Sequence, residues 1–239
     1  MNDIELHKPI VISEFPKSGG SWITSMMGEA LGVPCRDIYV QPGFSLFDIH
    51  KHPWYVSSEG LEIPDKCVIK SHELPESKIV DFDATMIHLV RDGRDVIVSK
   101  FVFDTEFLVR NGISKKVDVD FDKYVERTAL EWSAYVTSWG EIDNLVTIRY
   151  EDFLQDPTGS LGRLLANSIG ASLEIERLTD IVNKFTKAKF SASLDQAFAH
   201  NTFVRKGVAG DWENHFSDKN RLAYEAIAGR AHRALGYSF

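Results

Sequence analysis

The feature that most constrains this chain is an alternation of short, continuously apolar runs with segments of helical spacing. Pro9–Phe15 (PIVISEF), Cys67–Lys70 (CVIK), Thr85–Val90 (TMIHLV) and Leu145–Arg149 (LVTIR) read as four buried strands, each too short for a core helix. From Ser21 onward, Trp22, Met26 and Ala30 recur on one helical line and Ile23, Met27 and Leu31 on the next, until Gly32 stops the pattern. Arg94–Phe103 returns to helical spacing. Phe121, Tyr124, Thr128, Trp132, Tyr135 and Trp139 then follow at steps of three and four, which predicts a long amphipathic helix. Further helical patterns cover 158–168, 174–186 and 219–235, the first of them opened by Asp156 as N-cap and Pro157 in the first turn. Strands without polar alternation, separated by helices, need cover on both faces. The expectation is an α/β fold with a central parallel β-sheet flanked by helices on both faces. Val33–Asp65, with four prolines, reads as irregular.

In such a sheet the loops after the strands line up along one edge, where ligands of open α/β folds bind. The loops after Phe15, Lys70 and Val90 fall there. The length of 239 residues, with 44% hydrophobic and 26% charged residues, fits one domain over 1–239, and neither a repeat nor a linker divides it. No apolar run approaches the roughly 18 residues that a membrane helix needs, and the first residues carry no signal-peptide pattern. A cytoplasmic protein without membrane insertion is expected. Two cysteines, Cys35 and Cys67, are too few for a disulfide scaffold or a Cys-rich zinc site. His50-Lys51-His52 lacks an acidic or Cys partner at suitable spacing, so no metal is expected either. The net charge of -8 argues against a general nucleic-acid binder and makes any basic cluster stand out.

Four such clusters carry chemistry. Pro16-Lys17-Ser18-Gly19-Gly20-Ser21-Trp22 is a glycine turn entering a helix, where backbone N–H groups and the helix dipole favour a phosphate. It is not the ordinary P-loop, because no Gly-Lys-Ser/Thr follows at the required distance, and this weighs against a nucleotide or small-molecule kinase. Arg91 to Ser99 (RDGRDVIVS) puts an arginine at a strand end and a serine two helical turns on, suited to a forked phosphate contact. Taken alone, it is better described as a helix start whose Arg94 pairs on the surface with Asp92 or Asp95. Phe203 to Phe216 sets Arg205 and Lys206 beside Gly207 and Gly210, a flexible basic loop able to wrap an anion. Lys70-Ser71-His72 ends a buried strand with a histidine that could serve as a general base, although a lone histidine is more often structural.

Together these segments, with Tyr150-Glu151-Asp152 after the fourth strand, resemble the soluble sulfotransferases that use 3′-phosphoadenylyl sulfate (PAPS). Pro16–Trp22 resembles that family's P-loop-like phosphosulfate-binding loop after the first strand. Arg91–Ser99 resembles its 3′-phosphate motif, and Arg205-Lys206-Gly207…Gly210-Asp211-Trp212 its signature near the end of the chain. The likeness runs in order from residue 10 to 216. It implies that Lys17, Ser18, Gly19, Gly20 and Ser21 hold the 5′-phosphosulfate, and that Arg91, Ser99, Arg205, Lys206 and Gly207 hold the 3′-phosphate. Trp22, Tyr150 and Phe190 would receive the adenine. It also implies that His72 takes a proton from an acceptor hydroxyl, that Lys17 assisted by Lys70 stabilises the leaving oxygen, and that Ser99 restrains Lys17 until the acceptor arrives. The product is adenosine 3′,5′-bisphosphate (PAP), and no metal is needed.

The family usually has threonines where this chain has Gly20 and Ser21, and Glu73 intrudes after His72. The usual dimer segment is here Glu213, Ser217, Asp218 and Leu222, none of which fits, so a monomer or a different dimer is expected. Phe44–Tyr55 and Phe101–Ile113, rich in aromatic residues, are expected to line a pocket for a small aromatic or lipophilic alcohol. A sugar or glycolipid acceptor and a non-catalytic nucleotide binder are the alternatives.

Overall fold

The computed structural model describes residues 4–37, 66–76, 80, 83–112, 114–115, 119–195 and 206–239. Five strands form one sheet: β1 (Ile10–Glu14), β2 (Cys35–Asp37), β3 (Val68–Ser71), β4 (Thr85–Val90) and β5 (Val146–Arg149), in the order β2-β3-β1-β4-β5. Every pairing is parallel. Nine α-helices are described: α1 (Gly20–Leu31), α2 (Gly93–Val102), α3 (Leu108–Arg110), α4 (Phe121–Gly140), α5 (Tyr150–Gln155), α6 (Pro157–Ile169), α7 (Ile175–Lys184), α8 (Lys187–Asp195) and α9 (Asp218–Ala234).

The central strand β1 is buried along its whole length, and its alternate side chains feed two cores. Ile10 and Ile12 pack with Met26, Met27, Leu164 and Ile181 from α1, α6 and α7. Val11 packs on the opposite face with Val96, Trp132, Trp139 and Tyr224 from α2, α4 and α9. Each wholly buried Ile or Val on such a strand contributes about 1.5–3 kcal/mol relative to exposure. Helices therefore cover both faces, as the apolar strands require.

The register sets the strand ends side by side. Ser13 lies opposite Ser71 and Glu14 opposite Leu89, while Val90 faces Arg149. The segments after β1, β3, β4 and β5 consequently leave the sheet together on one edge.

Several details differ from the sequence expectation, among them the helix α5 directly after β5. Cys35–Asp37 is a short fifth strand inside a stretch expected to be irregular, paired in register with Val68–Lys70. Lys187–Asp195 adds a helix, α8. The helix that begins at Gly93 does not stop at Phe103 but passes through a π-helical turn, Phe103–Phe107, into α3. Arg94 does pair with Asp92, at 2.7 Å, but both are buried rather than on the surface, and Arg94 also donates to the Ser238 carbonyl. Ser217, one of the four positions where the dimer segment was sought, caps α9 in a reciprocal box with Asn220.

Candidate active site

The turn between β1 and α1 is wound left-handed at two residues, Lys17 (φ 77°) and Gly19 (φ 102°). For lysine this conformation costs about 1–3 kcal/mol and persists only where the surroundings fix it. Ser18 supplies part of that fixing, since its N–H and its hydroxyl both donate to the Phe15 carbonyl, at 3.2 and 2.7 Å. Neither glycine tolerates a side chain. A Cβ on Gly19 would run into the Tyr150 ring, and one on Gly20 would collide with the Glu14 carboxylate. That carboxylate accepts the Gly20 N–H at 2.6 Å.

Two lysines converge on this turn. The Lys17 ammonium sits 4.2 Å from the centroid of the Phe103 ring. Burial is the largest influence on it and lowers its pKa to about 7; Lys70 and Arg91 push the same way, and Glu14 and Asp104 oppose them. Lys70, from β3, donates to the Ser21 hydroxyl at 3.5 Å. Trp22 leaves the turn on α1, where its indole N–H donates to the Phe185 carbonyl at 2.7 Å and its ring meets Tyr150 edge-on at 6.1 Å.

Beyond β3, His72 Nδ1 lies 2.9 Å from the Glu14 carbonyl oxygen. A carbonyl only accepts, so Nδ1 carries the proton, and in a neutral ring the basic nitrogen is then Nε2. The segment is pinned on both sides of this contact. Glu73 donates its N–H to the Ser71 hydroxyl at 3.0 Å, and its carbonyl accepts the Trp139 indole N–H at 3.0 Å.

Arg91, at the end of β4, joins three of the motifs. Its guanidinium donates to the Lys17 carbonyl at 3.0 Å and to the Val208 carbonyl at 3.2 Å, and it lies 4.6 Å from the Tyr150 ring centroid. Its Nε is buried with no hydrogen-bond partner. Ser99 is half-buried near the end of α2, and its carbonyl accepts the Phe103 N–H where the π-helical turn begins.

The loop before α9 is tied down by carboxylates. Asp95 on α2 accepts the Gly210 N–H at 2.7 Å and the Trp212 N–H at 3.0 Å. Burial raises the Asp95 pKa, opposed by Arg91 and by those two amides. Lys206 reaches Asp211 at 2.6 Å, so its ammonium is already paired within the loop. Gly207 is left-handed at φ 58°, and Lys187 of α8 donates to the Lys206 carbonyl. Phe190 is half-buried on the same helix.

The structure thus gathers Lys17, Gly19, Gly20, Ser21, Trp22, Lys70, His72, Arg91 and Tyr150 at one sheet edge, with Gly207 next to the Val208 carbonyl that Arg91 holds. Arg205 lies outside the described residues, as do Phe44–Tyr55 and Ile113 of the expected acceptor pocket. Sequence reasoning missed Glu14, Asp95 and Trp139, whereas Phe103 falls within the Phe101–Ile113 stretch expected to line the acceptor pocket. Only Glu14 left a signal, a charge ending an otherwise apolar strand. Among the described residues, no group of three or more His, Cys, Asp or Glu could hold a metal, and no helix is long and apolar enough to cross a membrane.

The family model of the Sulfotransferase domain matches residues 7–236. The chain is 26% identical to human sulfotransferase 2A1 over 253 residues, covering 92% of this chain and 84% of the relative. It is 24% identical to mouse sulfotransferase 1B1 over 246 residues, covering 91% and 80%. Among solved structures, mouse sulfotransferase SULT7A1 complexed with PAP superposes with a TM-score of 0.71 at 19% identity, over 97% of this chain and 85% of that one. Retinol dehydratase in complex with androsterone and PAP gives 0.73 at 18% identity, over 100% and 84%. At these identities the superpositions speak for the fold.

Proposed function

The chain belongs to the sulfotransferase family, and from that premise we propose that it moves the sulfuryl group of PAPS to the hydroxyl of a small acceptor. The observation that carries this assignment is Arg91, which ties the carbonyl of Lys17 to that of Val208 and so holds the first loop, the β4 motif and the last motif together. The residues fit a nucleotide with phosphates at both ends. Gly19 and Gly20 lead the chain from the end of β1 into the N-terminus of α1, Lys17 is a buried amine beside them, and Arg91 keeps a buried N–H without a partner. Charge-assisted hydrogen bonds of this kind are worth about 1.5–3 kcal/mol each, so a few of them bind a polyanion tightly.

In this assignment Lys17–Ser21 receive the 5′-phosphosulfate. Arg91, Ser99, Arg205, Lys206 and Gly207 receive the 3′-phosphate, for which Lys206 has to share its ammonium with Asp211 or leave it. Trp22, Tyr150 and Phe190 flank the adenine. As the acceptor oxygen bonds to sulfur, its proton passes to His72 Nε2. The bond from sulfur to the phosphate oxygen breaks, and the electron pair left on that oxygen is neutralised by Lys17 with Lys70 beside it. The Nδ1–H held by the Glu14 carbonyl orients the imidazole for this task. Phe103, against the Lys17 ammonium, begins an apolar surface beside the reacting atoms and favours a lipophilic or aromatic alcohol. The occurrence of hydroxysteroid sulfotransferases from guinea pig among the relatives agrees with such an acceptor.

Calorimetry with PAP and with adenosine 5′-phosphate tests the assignment. The expected result is at least tenfold tighter binding of PAP, because the 3′-phosphate has its own set of donors. Equal affinities would remove the 3′-phosphate role from Arg91, Ser99, Arg205 and Lys206.

A further inference from the structure

Glu14 is a carboxylate bonded to the turn assigned to the phosphosulfate, and its placement is unusual in two ways. It ends the central strand, 3% exposed, on the face of β1 that also carries Ile10 and Ile12. A buried carboxylate there needs strong compensation. It obtains this from the Gly20 N–H at 2.6 Å and from the charge of Lys17, on which it acts electrostatically. The same residue's carbonyl fixes His72. One residue therefore touches the turn through its side chain and the proposed base through its backbone.

The contact also accounts for the glycine at position 20. A Cβ there would collide with the Glu14 carboxylate, so the acid at 14 and the missing side chain at 20 are two halves of one arrangement. An amide N–H that opens a helix, in a glycine turn, is what an incoming phosphate oxygen uses. In this structure that N–H is satisfied by the protein's own anion.

We infer that Glu14 is a positioning residue that stands in for the donor: it holds the turn in its phosphate-binding shape when no donor is bound, and it must release the Gly20 N–H for the donor's 5′-phosphoryl group to enter. This rests on the donor assignment made above. It gives the acid opposite effects on two quantities. Glu14 stabilises the empty protein and weakens the donor, because a bound phosphoryl group displaces the carboxylate and then sits beside it.

The experiment compares wild type with Glu14→Gln, which keeps the side chain's volume and an acceptor oxygen but removes the charge. Calorimetry is run with PAP and with adenosine 3′-phosphate, which lacks the 5′ group, and the melting temperature of the empty protein is recorded. Glu14→Gln is expected to bind PAP roughly ten- to a hundredfold more tightly, the range of one charge-assisted contact. Adenosine 3′-phosphate affinity stays unchanged, and the empty protein melts lower. A second variant keeps the test decisive if Glu14→Gln folds poorly. Gly20→Thr alone should destabilise strongly, whereas Glu14→Ser combined with Gly20→Thr should recover much of that loss and bind PAP more tightly than wild type. If PAP affinity is unchanged or weaker while adenosine 3′-phosphate still binds, the role given to Glu14 is wrong and the donor assignment stands. If neither nucleotide binds the wild-type protein, the donor assignment fails and the inference falls with it.

Discussion

Lys17 combines a left-handed backbone, a buried amine and a pKa lowered to about 7, chiefly by burial. A bound polyanion favours the ammonium and raises that pKa, so above about pH 7 donor binding takes up a proton. The sign follows directly: PAP affinity falls as pH rises past 7, by at most tenfold per unit, until the pKa of the bound state is reached. Calorimetry at pH 8 in two buffers of different ionisation enthalpy should register this uptake, and Lys17→Arg, charged throughout, should abolish it. An uptake that survives in Lys17→Arg would place the titrating group elsewhere. His72 yields a different separation. Its ring is held by the Glu14 carbonyl outside the donor cradle, so His72→Ala should lower turnover by about 10²- to 10⁴-fold with PAP affinity nearly unchanged. The melting temperature of the same variant shows whether the fold is intact. A folded variant with near wild-type turnover would give the histidine a structural role only.

The elements differ in how they hold the site. β1 is locked on both sides by parallel neighbours, whereas the loop before α9 depends on the two amides that Asp95 accepts. Asp95→Asn keeps one acceptor oxygen and turns an N–H group toward the second amide. The expected result is faster hydrogen exchange at Gly210 and Trp212, unchanged exchange in the sheet, and PAP affinity about tenfold lower. Unchanged exchange at those two amides would mean that the loop is held by other contacts. This contrast also marks what could be read from the sequence. β1, β3, β4 and β5 and the long helix α4 were legible because continuous apolar runs and three-to-four spacing are set by burial itself. β2 has three residues, CRD, with no apolar pattern, and α8, KAKFSASLD, has little contrast between its faces. In the site, Lys17, Arg91 and His72 were visible because their side chains are of the kinds that bind anions or move protons. The carbonyls of Lys17, Val208, Glu14 and Glu73 that hold these parts together were not, since every residue has a carbonyl. Asp95 looked like a partner for its neighbour Arg94, yet tertiary folding pairs it with amides more than a hundred residues away.

At the scale of the whole molecule, the core encloses an ionisable ring. His88, on β4, is 1% exposed, stacks on Trp139 at 5.9 Å, and burial lowers its pKa to about 4 from 6.5. Above pH 6.5 neither the folded nor the unfolded state protonates it. Between 6.5 and 4 only the unfolded chain does, so stability is lost as pH falls across that window, by up to about 3 kcal/mol. Urea unfolding followed from pH 7 to 4 should show a smaller loss for His88→Gln than for wild type, and equal losses would mean that His88 protonates without unfolding. The sheet order β2-β3-β1-β4-β5 has a further consequence, for synthesis. β1 and its turn emerge from the ribosome before the partners that shape them: Arg91 for the Lys17 carbonyl, Tyr150 against Gly19, Phe185 for the Trp22 indole and Val208 for Arg91. At about 5–20 residues per second, roughly 10–40 s separate Trp22 from Val208. Throughout that interval a nascent chain that already carries the whole glycine turn does not yet possess the contacts that hold the turn in its folded shape.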